Sequence, residues 1–595
     1  MYLEKLLIKN FRSIEELSLV FHKGLNVLIG ENNVGKTAII DTLRICLGYG
    51  SQRRELYVSV EDFHIKKSEI SDLLKDIEFH LYFKIEIPEE TAWFNDLLNT
   101  NEDGSQDIQL HFKYYIDEKN NIKRVKYKVW GGLNEGQQIS PEVLSLFYHV
   151  HLDALRDAEQ FLRPIRGNRL GQFYAKIQTD PNKDSDKEKK KIIASKIKMA
   201  VDGDPDWIAH IDNGKAKINE HLKETNFINR HQPIEIDFLP YDFGRLVDNL
   251  KMQIPIYSEV LIDGDKKKQK HFDLYQNGLG YNNLIYTATV LGDLKQRKEL
   301  EKETYIALLI EEPEAHLHPQ LQNVFFNYLN KLDKELGFQI FITSHSPTIT
   351  AKANLNSVIV LQNQEHKICS LPINNSGLNA ANKNYLHKFL DVTKSQLFFS
   401  NGVILVEGIS EALLMPIFSK IMGDRYDIEK GGIELVNLNG IAFEHFANLF
   451  NNDDELKRLK TRCAVITDDD RSLATDEISS RAAIAKLLEK NNLKVSLAEV
   501  TFEFELFITG NNKDIMLSIF AEMHPIAASR IQVNDDIKLY ANNFLEKVIS
   551  NKAKSEFSHR LSLKLSEDTT ARQNFSVPSY IQDAVKYVLK AETDV

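Results

Sequence analysis

The spacing of apolar residues changes several times along the chain, and each change predicts a different element. Residues 3–8 alternate as a strand that Asn10-Phe11-Arg12 closes. Residues 25–29 form a short apolar run, the pattern of a buried parallel strand, and Gly30 ends it. From Thr37 to Leu47 the apolar positions Ile39, Ile40, Leu43 and Leu47 fall at helical spacing. Longer alternating stretches over 76–87 and 108–115 predict antiparallel strands. Residues 179–235 are rich in Lys, Asp and Glu and poor in aromatics, with helical spacing over 192–222, which reads as a helical insertion. Its run Lys187-Glu188-Lys189-Lys190-Lys191 reads as a solvated helix face. Strand–helix alternation returns with strands over 306–310, 339–343 and 358–361 and a helix over 320–332. A second series has strands over 403–406, 434–438 and 464–467 and a helix over 411–422. The Asn- and Lys-rich stretch 366–400 reads as the connector between the two series.

Composition narrows the class. With 595 residues, 43% apolar and 27% charged, the chain has the profile of a multidomain globular protein. A net charge of −11 excludes a basic nucleic-acid coat but leaves room for a local basic groove. Three scattered cysteines, Cys46, Cys369 and Cys463, form neither a disulfide framework nor a four-cysteine zinc site. They predict a reducing compartment. The opening MYLEKLLIKNFRS lacks a signal peptide's apolar core, and no stretch reaches the roughly 18 apolar residues of a spanning helix. The expectation is a cytoplasmic enzyme with no membrane partner.

Two groups of residues carry chemistry. Gly30-Glu31-Asn32-Asn33-Val34-Gly35-Lys36-Thr37 fits G-x-x-x-x-G-K-[ST] between a predicted strand and a predicted helix. Gly30, Asn32, Asn33 and Gly35 shape a loop whose N–H groups face phosphate oxygens. Lys36 neutralises the phosphates, and the Thr37 hydroxyl serves Mg²⁺. The strand over 306–310 ends in Glu311-Glu312-Pro313-Glu314, followed by Ala315-His316-Leu317-His318-Pro319. Glu311 is placed on the Mg²⁺ shell, and Glu312 on the attacking water. His345, in Thr343-Ser344-His345-Ser346-Pro347, is placed on the γ-phosphate.

The second group is acidic. The strand over 403–406 ends in Glu407-Gly408, and Glu411 follows at i+4. The strand over 464–467 ends in Asp468-Asp469-Asp470, where an extended chain puts Asp468 and Asp470 on one face and Asp469 on the other. Unpaired carboxylates at strand ends repel one another, and divalent ions are the usual remedy.

These motifs support resemblances. EEPEAHLHP followed by TSHSP, with the opening I-K-N-F-R-S, resembles the ABC-type ATPase heads of the SMC and RecF group. In that group Gln276–Gly280 would be the signature stretch, here without its usual Ser, and Asp62 would be a Q-loop acceptor. E-G followed by D-x-D resembles a Toprim domain. Head plus C-terminal Toprim resembles the OLD (overcoming lysogenization defect) family of ATP-linked nucleases, which includes the Gabija anti-phage nuclease subunit. The implied fold class is α/β: an ABC-type P-loop ATPase head with a helical dimerisation insertion, followed by a Toprim α/β domain. The boundaries are head 1–165 and 236–370, insertion 166–235, connector 371–400 and Toprim domain 401–595.

The resemblance implies a DNA endonuclease or nickase regulated by ATP, acting with Mg²⁺ or Mn²⁺ in phage defence. It implies a homodimer or higher homo-oligomer, and as partner a UvrD-like helicase or a retron reverse transcriptase with its DNA. Catalytic roles fall on Glu407, Asp468, Asp470 and Lys554, with Glu312 in the head. The metal ligands would be Glu407, Glu411, Asp468, Asp470 and Glu503, with Glu505 second to Glu503, and Thr37 in the head. His151-Leu-Asp-Ala-Leu-Arg156-Asp157 is also family-like, without an assigned role. The rival readings are a SMC/RecF-like repair clamp with an inert Toprim domain and a topoisomerase- or primase-like enzyme.

Overall fold

A computed structural model describes the chain outside residues 51–53, 66–74, 102–103, 121, 155–161, 167, 178–181, 226–232, 237–241, 257–260, 264–265, 269–270, 301–304, 316, 365–366, 441, 472–476 and 592–595. His316, Arg156 and Asp157 lie outside the described residues. The chain divides into two compact units, one of Met1–His149, Ala307–Glu314 and Pro319–Val595, the other of Val150–Ile306 and Ala315–His318.

The first unit opens with an antiparallel sheet. The strands Ile14–Val20, Tyr2–Phe11, Ile77–Lys84, Gln106–Lys119 and Leu98–Thr100 follow in that order, with Ile122–Gly131 also pairing Gln106–Lys119. Along Ile77–Lys84 every second residue is buried, so the sequence alternation becomes a two-faced strand. Phe11 and Phe79 meet edge to face across it at 5.1 Å.

A second sheet carries the nucleotide motifs. Leu25–Ile29 lies parallel to Gln339–Ser344 on one side and to Val358–Gln364 on the other, and Gln339–Ser344 continues parallel to Tyr305–Glu311. Leu25–Ile29 and Tyr305–Glu311 are buried at every position, as strands covered on both faces must be. Lys367–Pro372 adds an antiparallel edge beside Val358–Gln364. Residues 367–372, in the expected connector stretch, therefore belong to this sheet, and Ala380–Phe389 follows as a helix.

A third, wholly parallel sheet follows in the order Ile433–Asn437, Gly402–Val406, Arg462–Asp468, Leu493–Ala498. Its core is sealed by the C-terminal helices, with Phe418 stacked on Phe575 at 5.3 Å and Phe507 on Phe544 at 4.9 Å. Glu407 and Asp468 stand at the carboxyl ends of adjacent strands, where α/β sheets bind ligands.

The second unit is mainly helical. Lys183–Asp202 and Pro205–Glu224 are separate helices, broken at Gly203-Asp204. Asp204 caps the second by accepting the Trp207 N–H at 2.8 Å, and Pro205 suits its first turn. Most of the lysine run faces solvent, while Lys190 turns in to Asp186 at 2.8 Å and the Ala175 carbonyl at 2.9 Å. Among the described residues no helix is long and apolar enough to cross a membrane.

Candidate active sites

The nucleotide loop is built around Gly30 and Gly35. Gly30 has φ 149°, and a Cβ there would lie 2.3 Å from the Leu361 carbonyl oxygen, so no other residue fits. Gly35, at φ 82°, precedes the helix Lys36–Leu47, whose free N–H groups point at the loop. Asn33 is also left-handed, and Asn32 and Asn33 are exposed on the loop. The Lys36 ammonium donates to the Gly30 and Glu31 carbonyls at 2.8 and 2.7 Å and lies 3.3 Å from His345 Nδ1. Burial lowers Lys36 to about 8, against the pull of Glu312, Glu314 and Glu31. The Thr37 hydroxyl donates to Glu311 at 3.1 Å, so the two residues placed on Mg²⁺ meet across 274 positions of chain.

Glu312 leaves the strand in a left-handed conformation, φ 41°, and its carboxylate lies 3.6 Å from His345 Nε2. The two adjacent glutamates thus diverge, as neighbours at a strand end should. Glu314, with no assigned role in the sequence reading, fixes this corner. Its carboxylate accepts the Ser344 hydroxyl and the His345 N–H, both at 2.8 Å. Burial raises Glu314, and burial, then the Lys36 charge, lowers His345. Asp62 is accounted for structurally. Arg12 bonds Asp62 at 2.8 Å and Asp41 of the loop helix at 2.6 Å.

The acidic group assembles differently. Glu407 follows its strand directly, and its carboxylate accepts the Thr467 hydroxyl. The Gly440 N–H donates to the Glu407 carbonyl at 2.9 Å and ties the turn after the neighbouring strand to this strand end. Glu411 sits in the first turn of Ile409–Ile421, 8% exposed. Burial, then Glu503 and Glu407, pushes Glu411 up to about 7. Asp468 accepts the Phe502 N–H at 2.8 Å. Burial, then Glu503, Glu407 and Glu411, holds its carboxyl well above the usual range. Glu503, 3% exposed, accepts the Lys554 ammonium at 2.9 Å. Burial alone would lower Lys554, but Glu503, Asp468 and Glu411 outweigh it and raise it.

Asp469 points away from this group, as expected. It accepts the Arg471 guanidinium at 2.7 Å and the Val500 N–H at 2.9 Å and serves as a clamp. The extended geometry expected through Asp470 does not hold. The strand ends at Asp468, and Asp470 turns to φ 47° because Asp469 is tied to the next strand's exit. Asp470 meets Arg481 at 2.5 Å, and the same guanidinium nitrogen lies 3.5 Å from Glu407. Glu505 accepts the Glu499 N–H at 3.2 Å, whereas Glu503 is among the charges that raise Glu411 and Asp468. The Tyr580 hydroxyl is buried without a hydrogen bond, and the charges of Asp468, Glu505, Glu411 and Glu503 help raise it.

An all-oxygen set of carboxylates suits a hard divalent cation such as Mg²⁺ or Mn²⁺. Among the described residues, no three His, Cys, Asp or Glu side chains converge closely enough to hold an ion as they stand. Lys554 and Arg481 hold the acidic groups instead.

Comparison with known proteins agrees with both halves. Residues 1–350 match an AAA ATPase domain, and residues 398–470 match an overcoming lysogenization defect protein-like Toprim domain. The chain belongs to the AAA ATPase domain family and carries an OLD-like Toprim domain. Endonuclease GajA of Bacillus cereus is 22% identical over 92% of this chain and 83% of its own. The OLD nuclease of Thermus scotoductus is 24% identical, covering 73% of this chain and 78% of its own. The Old nuclease of Escherichia phage P2 is 26% identical over 39% of this chain and 41% of its own. The OLD-like match ends at Asp470, so Glu407, Glu411 and Asp468 lie within it and Arg481, Glu503 and Lys554 beyond. Glu314, Thr467 and Arg481 escaped the sequence reading. Glu314 had a local signal, a third acid two residues past the pair, but Thr467 and Arg481 act only through partners brought by folding.

Proposed function

We propose that this chain, whose relatives include OLD nucleases, is a metal-dependent DNA endonuclease or nickase, regulated by ATP in its head and serving in anti-phage defence. The observation that carries this reading is the convergence of Glu407 and Asp468, at the ends of adjacent parallel strands, with Glu411 and Glu503 of the flanking helices, where burial and the neighbouring carboxylates raise Glu411 and Asp468. Such a group is stable in ionised form only with cations. The relatives' names, endonuclease and nuclease, support the same activity.

Glu407, Glu411, Asp468 and Glu503 would hold Mg²⁺ or Mn²⁺, with Asp470 beside them. When bound, such ions supply an activated water and charge on a phosphodiester's oxygens. Lys554 keeps a positive charge at Glu503 for the scissile phosphate. Asp469 and Thr467 fix the turn and the Glu407 carboxylate. In the head, Lys36 would hold the ATP phosphates, and Thr37 and Glu311 its Mg²⁺. Glu312 and His345 would orient the attacking water and the γ-phosphate.

A continuous bonded route supports regulation. Ile29, just before the nucleotide loop, pairs with Val360. Two residues on, the Gln362 side chain accepts the Lys460 N–H at 2.8 Å, and Lys460 leads into the strand that ends at Asp468. Exposed Ile192, Ile193, Ile197, Met199, Ile208 and Ile218 on the two long helices support a homodimer through the insertion. A cytoplasmic setting, and a helicase or a retron reverse transcriptase as partner, follow from the family resemblance.

Plasmid nicking in Mg²⁺ and Mn²⁺, with and without ATP, tests the reading. Wild-type protein should nick, Asp468→Asn and Glu407→Gln should not, and ATP should change the wild-type rate but not that of Lys36→Ala. Intact plasmid under both metals, with ATP still hydrolysed, would favour the inert clamp.

A further inference from the structure

We propose that Arg481 is a DNA-phosphate ligand of the nuclease site, held on Glu407 and Asp470 until a divalent ion takes those carboxylates. This rests on the nuclease reading above.

Arg481 is the second residue of the helix Ser480–Leu487. Its backbone is tied to the acidic turn. The Ser479 N–H donates to the Asp469 carbonyl at 3.0 Å, and the Ser479 hydroxyl accepts the Ala482 N–H at 3.1 Å. The guanidinium is therefore delivered to the cluster by design of the fold, not by a wandering side chain. It reaches Asp470 at 2.5 Å and Glu407 at 3.5 Å through one nitrogen, Nη2. Its Nε is buried and has no hydrogen-bond partner. Arginine binds best through two parallel N–H bonds to two oxygens of one group. Here that capacity is unused, and 31% of the side chain is open to solvent.

Arg471, ten residues earlier, shows the contrast. Its Nε and Nη2 both grip Asp469 at 2.7 Å, so its fork is spent within the protein. The two cations at the cluster also divide the work. Lys554 serves Glu503, Asp468 and Glu411, and Arg481 serves Glu407 and Asp470.

A guanidinium and a divalent cation cannot share the same carboxylate oxygens, because like charges a few ångströms apart repel strongly at low dielectric. Loading an ion on Glu407 and Asp470 therefore releases Arg481. The negative charge that reaches the site next is a DNA phosphate, whose two non-bridging oxygens match the unused fork. No covalent step is assigned to Arg481.

Two readouts on the full-length protein test this, using Arg481→Gln and Arg481→Lys. The first is the affinity for a short DNA duplex in Ca²⁺, followed across a potassium chloride series. Arg481→Gln should bind more weakly and lose about one unit of the slope of log affinity against log salt, while Arg481→Lys keeps the slope. The second is Mn²⁺ binding without DNA, followed by electron paramagnetic resonance. Arg481→Gln should bind Mn²⁺ severalfold tighter than wild type, because the competing cation is gone. A mere structural pin could change Mn²⁺ binding but would leave the salt slope of DNA binding unchanged. An unchanged salt slope, or Mn²⁺ affinity equal to or below wild type, overturns the proposal. If wild type cuts DNA and Arg481→Gln matches it in both readouts, this proposal alone falls. If wild type binds no Mn²⁺, the nuclease reading falls with it.

Discussion

The molecule has two acidic sites at the ends of parallel strands, and they solve opposite problems. In the head, acids and donors pair inside the protein: Thr37 with Glu311, Ser344 and the His345 N–H with Glu314, and Lys36 near Glu312, Glu314 and Glu31. The cation at its centre is buried and lowered to about 8. Such a site calls for a ligand that brings negative charge. In the Toprim domain the acids face one another, and Glu411 and Asp468 are raised by burial and by their neighbours. That site calls for positive charge. The same strand-end geometry thus yields a phosphate cradle or a cation cradle, according to whether lysine or carboxylate sits at the centre.

The comparison breaks if either centre can be emptied without consequence. Lys36→Ala should weaken ATP binding by roughly 2–5 kcal/mol, the range for truncating one partner of a buried charge pair, and leave nucleotide-free nicking unchanged. Isothermal titration with ATP and a nicking assay without it check the two halves. A loss of nicking without nucleotide would mean the two sites are one functional unit.

Glu411 sharpens the other side. Its folded pKa, about 7, lies above its ordinary value of 4.5. Its contribution to stability is therefore fully present below about pH 4.5 and is lost as pH rises through about 7. By linkage the loss is on the order of 3 kcal/mol or less, since neighbouring carboxylates share the titration. Thermal melts of metal-free protein should show a Tm that falls across this window. Glu411→Gln should flatten the fall, and added Mg²⁺ should do the same in wild type. A pH-independent Tm in metal-free wild type would contradict the account.

The smallest effect separates two neighbours. Glu503 faces Lys554 and the acidic group, whereas Glu505 bonds the Glu499 backbone. Glu503→Gln should abolish metal-dependent nicking, and Glu505→Gln should stay within about twofold of wild type, the usual range away from such features. Equal losses in the two variants would erase the distinction.

Legibility in the sequence follows the range of the interactions. The nucleotide loop was readable because its eight chemical positions are contiguous, and the strand ends at Glu311, His345, Glu407 and Asp468 were readable because an apolar run stops at each. The two-sided burial of those strands makes the runs long and clean. Asp470 was misplaced because the extended spacing used for it ends one residue after Asp468, where Asp469 is pulled to Val500. Arg481 carries no local signal. Its position depends on Ser479 bonding Asp469, a contact made only when the loop folds back. Likewise the helical insertion showed its spacing, but the break at Gly203-Asp204-Pro205 made two helices of it.

If the Toprim cluster is a cation site in its own right, it should bind a divalent ion whatever the state of the nucleotide site. Mn²⁺ binding to nucleotide-free protein tests it most directly. Wild type and Lys36→Ala should bind Mn²⁺, and Asp468→Asn should not. Binding retained in Asp468→Asn, or lost in Lys36→Ala, would contradict it.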